Sequence, residues 1–182
     1  MGTYNIAVIV GSLRRDSFNR RLAEGLTRLA PAGFEFTFCE IGDLPLYNQD
    51  DDAHPAEAVT RLKQQIAQAD GLLFVTPEHN RSVPAVLKNA LDHASRPYGQ
   101  NAWAGKPAGI IGISVGAIGT ALAQQHLRGI LSYLDVRVMG QPEGYLQVSE
   151  GFFGENGGFG TRSGEFLQKW MQAFADWVTR HA

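Results

Sequence analysis

Three nearly continuous apolar runs restrict what this chain can fold into more than any other feature. They span residues 6–10, 72–76 and 108–114, and such runs are typical of central parallel strands that helices cover on both faces. Residues 34–41 alternate between Phe and other side chains, which predicts an edge strand, and a shorter strand is expected near residues 136–139. Together these segments predict a parallel β-sheet.

Amphipathic segments separate these strands. Apolar residues recur at helical spacing in them, and near the C-terminus they form an aromatic stripe of Phe166, Trp170, Phe174 and Trp177 that is expected to pack in the core. Five strands alternating with five helices predict a doubly wound α/β fold, and an edge second strand fits the order 2-1-3-4-5. The ligand site of this topology lies at the carboxyl ends of strands one and three. Residues 1–182 are expected to form a single domain.

The charge balance and the cysteine content argue against several classes of function. The formal net charge is −2, so nothing indicates nucleic acid or an anionic membrane as a partner. Cys39 is alone and is expected to be a small buried residue, without a disulfide framework or a cysteine metal site. Four aspartates within residues 42–54 are interpreted as a solvated loop, and residues 151–164 as a mobile surface loop. No membrane span or targeting segment is recognised, so a cytoplasmic protein is expected.

Residues 11–19 follow the first strand and open a helix. Such a junction presents free backbone N–H groups and the positive end of a helix dipole. Ser12, Ser17 and Asn19 add small hydrogen-bonding side chains, and Arg14 and Arg15 add guanidinium groups. The segment has neither the lysine of a Walker loop nor the glycines of a dinucleotide turn. It predicts a cradle for a terminal monophosphate, and the alternative is an ordinary turn with Ser17 as N-cap.

The loop after the third strand opens at the same edge of the sheet. Pro77 and Pro84 stiffen it and set its exit into the next helix. A stiff loop with outward N–H groups can bind the carbonyl and imide edge of a planar heterocycle. The alternative is a tight turn before a helix that starts at a proline.

The loop after the fourth strand contains Gly112-Ile113-Ser114-Val115-Gly116, the pattern of a hydrolase nucleophile elbow. A serine hydrolase that uses Ser114 is therefore an alternative function. Hydrolases of that fold place an acid and then a histidine after the serine. Only His126 and His181 follow here, and neither fits that order.

Two motifs together resemble the NADPH-dependent FMN reductases, and most closely their chromate and quinone reductase branch. They are Gly-Ser-Leu-Arg-x-x-Ser-x-Asn from Gly11 and Pro-Glu-x-Asn-x-Ser-x-Pro from Pro77, followed by Leu-Lys-Asn-Ala-Leu-Asp from Leu87. The resemblance covers nearly the whole chain and weakens after about residue 151. It implies a flavodoxin-like fold and an enzyme that passes a hydride from NADPH or NADH to FMN. By ping-pong turnover, the reduced flavin would then reduce quinones, chromate or similar small molecules.

The resemblance also implies which residues bind the cofactor. The first loop would hold the FMN phosphate, the second the isoalloxazine ring, and the third would line the flavin site. In that order the residues are Ser12, Arg14, Ser17 and Asn19; Pro77, Glu78, His79, Asn80 and Ser82; and Ser114, Gly116 and Gly119. His79 stands where many members have Tyr. No metal is expected, and no side chain is required as a general base because the chemistry belongs to flavin N5.

The electron donor and the assembly are further expectations. Arg15 and Arg81 flank the proposed site and are candidates for the ribose 2′-phosphate of NADPH. The resemblance implies a homodimer or homotetramer, for which we expect charge pairs between subunits that include Arg128 and Glu143. The alternative within the same fold is a flavodoxin-type electron carrier, which binds FMN but no pyridine nucleotide. A net charge of −2 is weak for a carrier that docks through charge.

Overall fold

The computed structural model describes residues 2–182, and of Glu155 it describes the backbone alone. In this part of the chain, strands and helices alternate. The strands are β1 (Tyr4–Val10), β2 (Phe34–Phe38), β3 (Gly71–Val75), β4 (Pro107–Ser114), β5 (Arg137–Val138) and β6 (Gly144–Gln147). The helices are α1 (Phe18–Thr27), α2 (Glu57–Gln68), α3 (Ala85–Ala94), α4 (Ala121–Tyr133) and α5 (Thr161–His181).

The strands form one parallel sheet in the order β2-β1-β3-β4-β5, which confirms the predicted fold class and strand order. The short fifth strand predicted near residues 136–139 occurs as β5, and a sixth strand that was not predicted, β6, also pairs with β4 in parallel. Pro142 lies between them and cannot donate a ladder hydrogen bond. β2 ends at Phe38 rather than at residue 41, since the chain turns where Gly42 N–H donates to the Glu40 carboxylate.

The helices cover the sheet on both faces. On one face α2, α3 and α4 bury a cluster that includes Leu62, Leu91 and Leu127, and on the other α1 and α5 bury Leu22 and Trp170. Strands β1, β3 and β4 are buried almost throughout, as their apolar runs predict. Their carboxyl ends are therefore held at one edge of a rigid sheet, where three loops emerge.

The aromatic stripe predicted on α5 is only partly correct. Trp170 and Phe174 are completely buried and stacked on each other, but Phe166 is 37% exposed. Residues four positions apart drift around a helix that has 3.6 residues per turn, so the stripe turns away from the sheet. The buried face instead consists of Leu167, Trp170, Met171, Phe174, Ala175 and Val178.

Residues 151–164 do not form a simple surface loop, which corrects that expectation. Phe152 is buried, and Phe153 and Phe159 pack beside it with ring centroids 5.0 and 6.2 Å away. Phe159 lies so close to Gly25 of α1 that a side chain at Gly25 would collide with its ring. Three apolar rings in a glycine-rich segment gain more from burial against α1 and α5 than from exposure.

Candidate functional site

Backbone hydrogen bonds bring three loops together at the carboxyl ends of β1, β3 and β4. Gly11 N–H donates to the Val75 carbonyl at 2.9 Å, and a side chain at Gly11 would come within 2.8 Å of the Thr76 hydroxyl. Thr76 N–H donates in turn to the Ile111 carbonyl at 3.1 Å. The loops that the sequence analysis singled out therefore share one edge of the sheet.

Ser17 begins α1 as its N-cap. Its Oγ accepts a hydrogen bond from the Arg20 N–H at 3.2 Å, which leaves the hydroxyl proton free to donate. Among the described residues, the backbone N–H groups of Ser12, Phe18 and Asn19 have no protein acceptor. A hydroxyl and free N–H groups at the positive end of a helix dipole suit an anion.

Arg14 adds a free positive charge to this loop. The side chain is exposed, and its guanidinium lies 5.9 Å from the centroid of the Phe18 ring. Neither Arg14 nor the neighbouring Arg15 forms an ion pair within the described residues. Arg14 is therefore available to pair with an anion at the start of α1.

The Asn19 side chain is committed to the fold. Its Oδ1 accepts from the Ile113 N–H at 3.0 Å, and its Nδ2 donates to the Ile113 carbonyl at 2.9 Å. β3 ends at Val75, opposite Ile111, so it offers Ile113 no partner. The amide of Asn19 takes the place of that missing strand partner. What Asn19 can offer a phosphate is its backbone N–H.

The loop after β3 forms a tight turn. His79 and Ser82 exchange two backbone hydrogen bonds of 3.0 Å, and the residues between them, Asn80 and Arg81, have φ angles of 50° and 64°. Two successive positive φ angles define a type I′ turn. Asn tolerates this conformation, whereas Arg seldom adopts it. Backbone strain of this kind concentrates at binding and catalytic sites.

Glu78 joins this turn to α4. Its Oε2 accepts from the N–H groups of Leu122 and Ala123 at 3.0 and 3.2 Å, and its Oε1 accepts from the Arg81 guanidinium at 2.9 Å. Burial opposes ionisation of this carboxyl, but the hydrogen bonds from Ala123, Arg81 and Leu122 outweigh burial and lower its pKa. The carboxylate thereby caps a helix whose own N-cap, Thr120, accepts no backbone N–H of the helix with its side chain.

The loop after β4 does not have the geometry of a nucleophile elbow. Ser114 Oγ donates to the Gly116 carbonyl at 2.9 Å, and α4 begins only at Ala121, whereas an elbow serine lies directly on a strand-to-helix turn. His126 is bonded to Ser82 instead, and no histidine among the described residues bonds to Ser114. The geometry therefore does not support the serine hydrolase.

A cavity of about 490 Å³ lies between the first two loops and the end of β4. The predicted cofactor residues that line it are Ser12, Arg14, Ser17, Asn19, Pro77, Glu78, His79 and Ser114. His79 also lines an adjoining cavity of about 1070 Å³, together with Asn80 and Ser82. Of the remaining candidates, Arg15, Arg81, Gly116 and Gly119 line neither cavity in the described part of the chain.

Several apolar residues that line the first cavity were not predicted from the sequence. Leu13, Phe18 and Val115 line it beside the polar groups, and Leu13 and Val115 are 60% and 72% exposed. Apolar side chains exposed next to a polar cradle suit a ligand with both a charged end and a flat apolar part. Their position in the loops at the strand ends is the one signal that could have identified them.

The potential metal ligands and the single thiol add no further chemistry in the described part of the chain. In the described residues, His, Cys, Asp and Glu side chains form no group suited to a metal ion, and none of the helices has the length and apolar content of a membrane span. Cys39 is buried as predicted, and burial raises the pKa of its thiol to about 11. The thiol therefore stays protonated at neutral pH and is a poor nucleophile.

Known proteins share both the sequence and the fold. Residues 4–150 match the family model described as NADPH-dependent FMN reductase. The chain is 58% identical over 174 residues to a 2-hydroxy-1,4-benzoquinone reductase of a Burkholderia species, and the match covers 95% of each chain.

Solved structures agree with this match. FerB from Paracoccus denitrificans, a flavoenzyme NAD(P)H:(acceptor) oxidoreductase, is 46% identical with a TM-score of 0.94, and the match covers 98% of this chain and 99% of FerB. A mutant flavodoxin from Pseudomonas aeruginosa has a TM-score of 0.61 at 20% identity, with 96% and 99% covered, and it shows the fold alone. The chain therefore belongs to the NADPH-dependent FMN reductase family and is an oxidoreductase with a flavodoxin-like α/β fold.

Proposed function

We propose that this protein is an FMN-dependent reductase that transfers electrons from NAD(P)H to quinones. The proposal is carried by the 490 Å³ cavity, in which free N–H groups, the Ser17 hydroxyl and the Arg14 guanidinium converge on the start of α1. FMN has one terminal phosphate for such a cradle and a flat ring for the exposed Leu13 and Val115. The family match supports a reductase over an electron carrier.

Bound FMN would supply the hydride chemistry, and the protein would bind and orient it. Ser12, Arg14, Ser17 and the Asn19 backbone would hold the phosphate. The ring edge would lie along the loop after β3 and the end of β4, at Pro77, Glu78, His79, Asn80, Ser82 and Ser114. Gly116 and Gly119 would shape the loop after β4 from outside both cavities. The Glu78 contacts with α4 hold the turn in place, and a fixed loop keeps the ring oriented for transfer.

The purified protein should be yellow and should contain one FMN per chain. Because no covalent link to the cofactor is proposed, acid denaturation should release all of the flavin into the supernatant, where chromatography identifies it as FMN. A colourless protein that takes up no added FMN would contradict the assignment of the cavity.

The arginine of the first loop should matter for the phosphate in particular. Arg14→Ala should weaken FMN binding by about 2 kcal/mol, or about 30-fold in Kd, because a charge-assisted hydrogen bond is lost. Arg180→Ala, at the exposed end of α5, is the matched control and should leave the Kd unchanged. Riboflavin lacks the phosphate, so an equal loss of riboflavin affinity in Arg14→Ala would show that Arg14 does not contact the FMN phosphate.

We also propose that Arg15 or Arg81 favours NADPH over NADH by pairing with the ribose 2′-phosphate. Both side chains are exposed near the site, although Arg81 is already paired with Glu78. Alanine at the residue that binds the phosphate should lower the NADPH-to-NADH ratio of kcat/KM by about tenfold. This change corresponds to a loss of about 1.4 kcal/mol in binding free energy. Steady-state kinetics with both donors measures this ratio, and two alanine variants with the parent ratio would refute the proposal.

Quinones are the proposed acceptors, with chromate as a further one. The relative from Burkholderia acts on 2-hydroxy-1,4-benzoquinone according to its name, and FerB is an NAD(P)H:(acceptor) oxidoreductase. The 1070 Å³ cavity adjoins the proposed FMN cavity at His79 and is open to solvent. It has room for a quinone ring next to the flavin.

At least a dimer is expected in solution. Tyr133 of α4 is 83% exposed beside the partly buried Ile130, and α4 forms one wall of the larger cavity. Arg128 and Glu143 are not paired with each other in the described residues, since Arg128 donates to the Met139 carbonyl and Glu143 accepts from Tyr145.

Size-exclusion chromatography with light scattering should give at least twice the chain mass of 19.8 kDa. If Arg128 and Glu143 pair between subunits, single charge reversals should weaken the assembly and the double reversal should restore it. A monomer mass at micromolar protein would contradict this prediction.

A further inference from the structure

Ser82 and His126 form a hydrogen-bonded pair next to the proposed FMN cavity. Ser82 Oγ and His126 Nδ1 are 2.9 Å apart. Ser82 closes the type I′ turn after β3, and His126 lies in α4. Both line the 1070 Å³ cavity, which meets the FMN cavity at His79. The pair therefore lies in the space where an acceptor would stand next to the flavin.

The carboxylates near this pair are already engaged. Glu78 accepts from the start of α4 and from Arg81, and both oxygens of Asp92 accept from Lys88 at 2.8 Å. Besides His126, the titratable and charged side chains that line the cavity are His79 of the turn, Lys88 and Asp92 of α3, Arg96 of the loop after α3, and Tyr133 of α4. Arg81 of the turn lies outside the cavity and is paired with Glu78. Among side chains of these types, imidazole is the one that ordinarily changes charge between pH 5 and 8.

Reduction of a quinone needs a proton as well as a hydride. The hydride originates from NADPH and reaches the acceptor by way of the flavin in the function proposed above. It leaves a negative charge on a quinone oxygen, and a proton must reach that oxygen to complete the hydroquinone. A general acid placed at the oxygen accelerates such a step by about 10² to 10⁴-fold.

We propose that Ser82 donates its hydroxyl proton to the oxygen of the reduced acceptor and that His126 replaces this proton through Nδ1. The Ser82 O–H bond breaks toward the acceptor oxygen while the Nδ1–H bond of the imidazolium breaks toward Ser82 Oγ. The hydroquinone is then neutral, Ser82 is again a hydroxyl, and the neutral imidazole takes up a proton from water. Ser82 is the catalytic residue of this relay, and His126 acts through it.

The relay rests on the proposed reductase function, and two acceptors separate them. The holoenzyme is reduced with one equivalent of NADPH without oxygen, and its reoxidation is followed by stopped flow with 1,4-benzoquinone and with ferricyanide. Ferricyanide takes up electrons without a proton. At pH 6.5, His126→Gln should slow reoxidation by benzoquinone at least tenfold. It should also remove the decline of the benzoquinone rate toward pH 8 that the relay predicts for the parent. The rate with ferricyanide should change less than twofold.

Further variants test the order of the relay. Ser82→Ala should reproduce the loss seen in His126→Gln, and the double variant should lose no more than either, because the two residues act in one chain of transfer. His54→Gln is the control, since His54 is exposed on the loop between β2 and α2 and lies outside both cavities. In the NMR spectrum of the holoenzyme, Ser82→Ala should shift the imidazole resonances of His126, because Nδ1 loses its hydrogen-bond partner.

Each result bears on the proposal. Equal slowing with both acceptors would show a structural role and overturn the relay, and so would unchanged rates with both. Imidazole resonances of His126 that Ser82→Ala leaves in place would also overturn it. A parent protein that NADPH does not reduce would overturn the reductase function and the relay with it, whereas normal reduction with unaltered quinone rates overturns the relay alone.

Discussion

Asn19→Ala should lower the free energy of unfolding by about 3 kcal/mol. The substitution removes both hydrogen bonds to Ile113 and leaves its buried N–H and carbonyl without partners, and each such group costs about 1–3 kcal/mol. Because β3 ends before Ile113, no strand can replace the lost amide. The same change releases the start of α1 from β4, so FMN affinity should fall together with stability.

Urea unfolding of the FMN-free proteins measures the stability change apart from cofactor binding. Asn5→Ala is the matched control, because its side chain is exposed at the edge of the molecule and has no hydrogen bond among those of the described residues. It should change stability by less than about 0.5 kcal/mol. An Asn19→Ala protein as stable as this control would show that the two hydrogen bonds carry no net stability.

Gly112→Ala should cost about 3 kcal/mol or more and weaken FMN binding at least tenfold. A side chain at Gly112 would collide with the Thr76 backbone oxygen and the Thr120 hydroxyl. Thr76 begins the second loop of the site, and Thr120 lies at the start of α4 with a φ angle of 69°. Neither Thr76 nor Thr120 can move away easily, so the second and third loops must separate. Overpacking of this kind costs about 1–3 kcal/mol or more.

Gly129→Ala is the control, and it should change the free energy of unfolding in the opposite direction. Gly129 lies within α4 and nothing approaches within 4 Å of the position of a new side chain, so alanine should stabilise the helix by about 0.5–1 kcal/mol. Thermal unfolding of both variants shows the two signs directly. Equal melting temperatures of Gly112→Ala and the parent would mean that the contacts around Gly112 can relax.

Much of the fold was predictable from the sequence because its signals are local. The apolar runs of β1, β3 and β4 are buried on both faces, and the helix predicted to follow Pro84 begins at Ala85 as α3. The alternative interpretation of the first loop placed Ser17 at a helix N-cap, and Ser17 is the N-cap of α1. Each of these follows from a few neighbouring residues and their periodicity.

What could not be predicted depends on residues that are far apart in the chain. The side chains of Asn19 and Glu78 were assigned to FMN, but they bond to Ile113 in β4 and to the start of α4. His126 meets Ser82 across 44 positions. Contacts of this kind are set by the packing of α1 and α4 on the sheet, and no spacing or composition within a loop reveals them.

Anaerobic stopped flow tests most directly whether this protein uses FMN to pass electrons from NADPH to quinones. One equivalent of NADPH should bleach the visible flavin absorbance of the purified holoenzyme, and 2-hydroxy-1,4-benzoquinone or 1,4-benzoquinone should then restore it within the time of a turnover. A flavin that NADPH leaves oxidised while dithionite bleaches it would contradict the account and identify an electron carrier of the flavodoxin type.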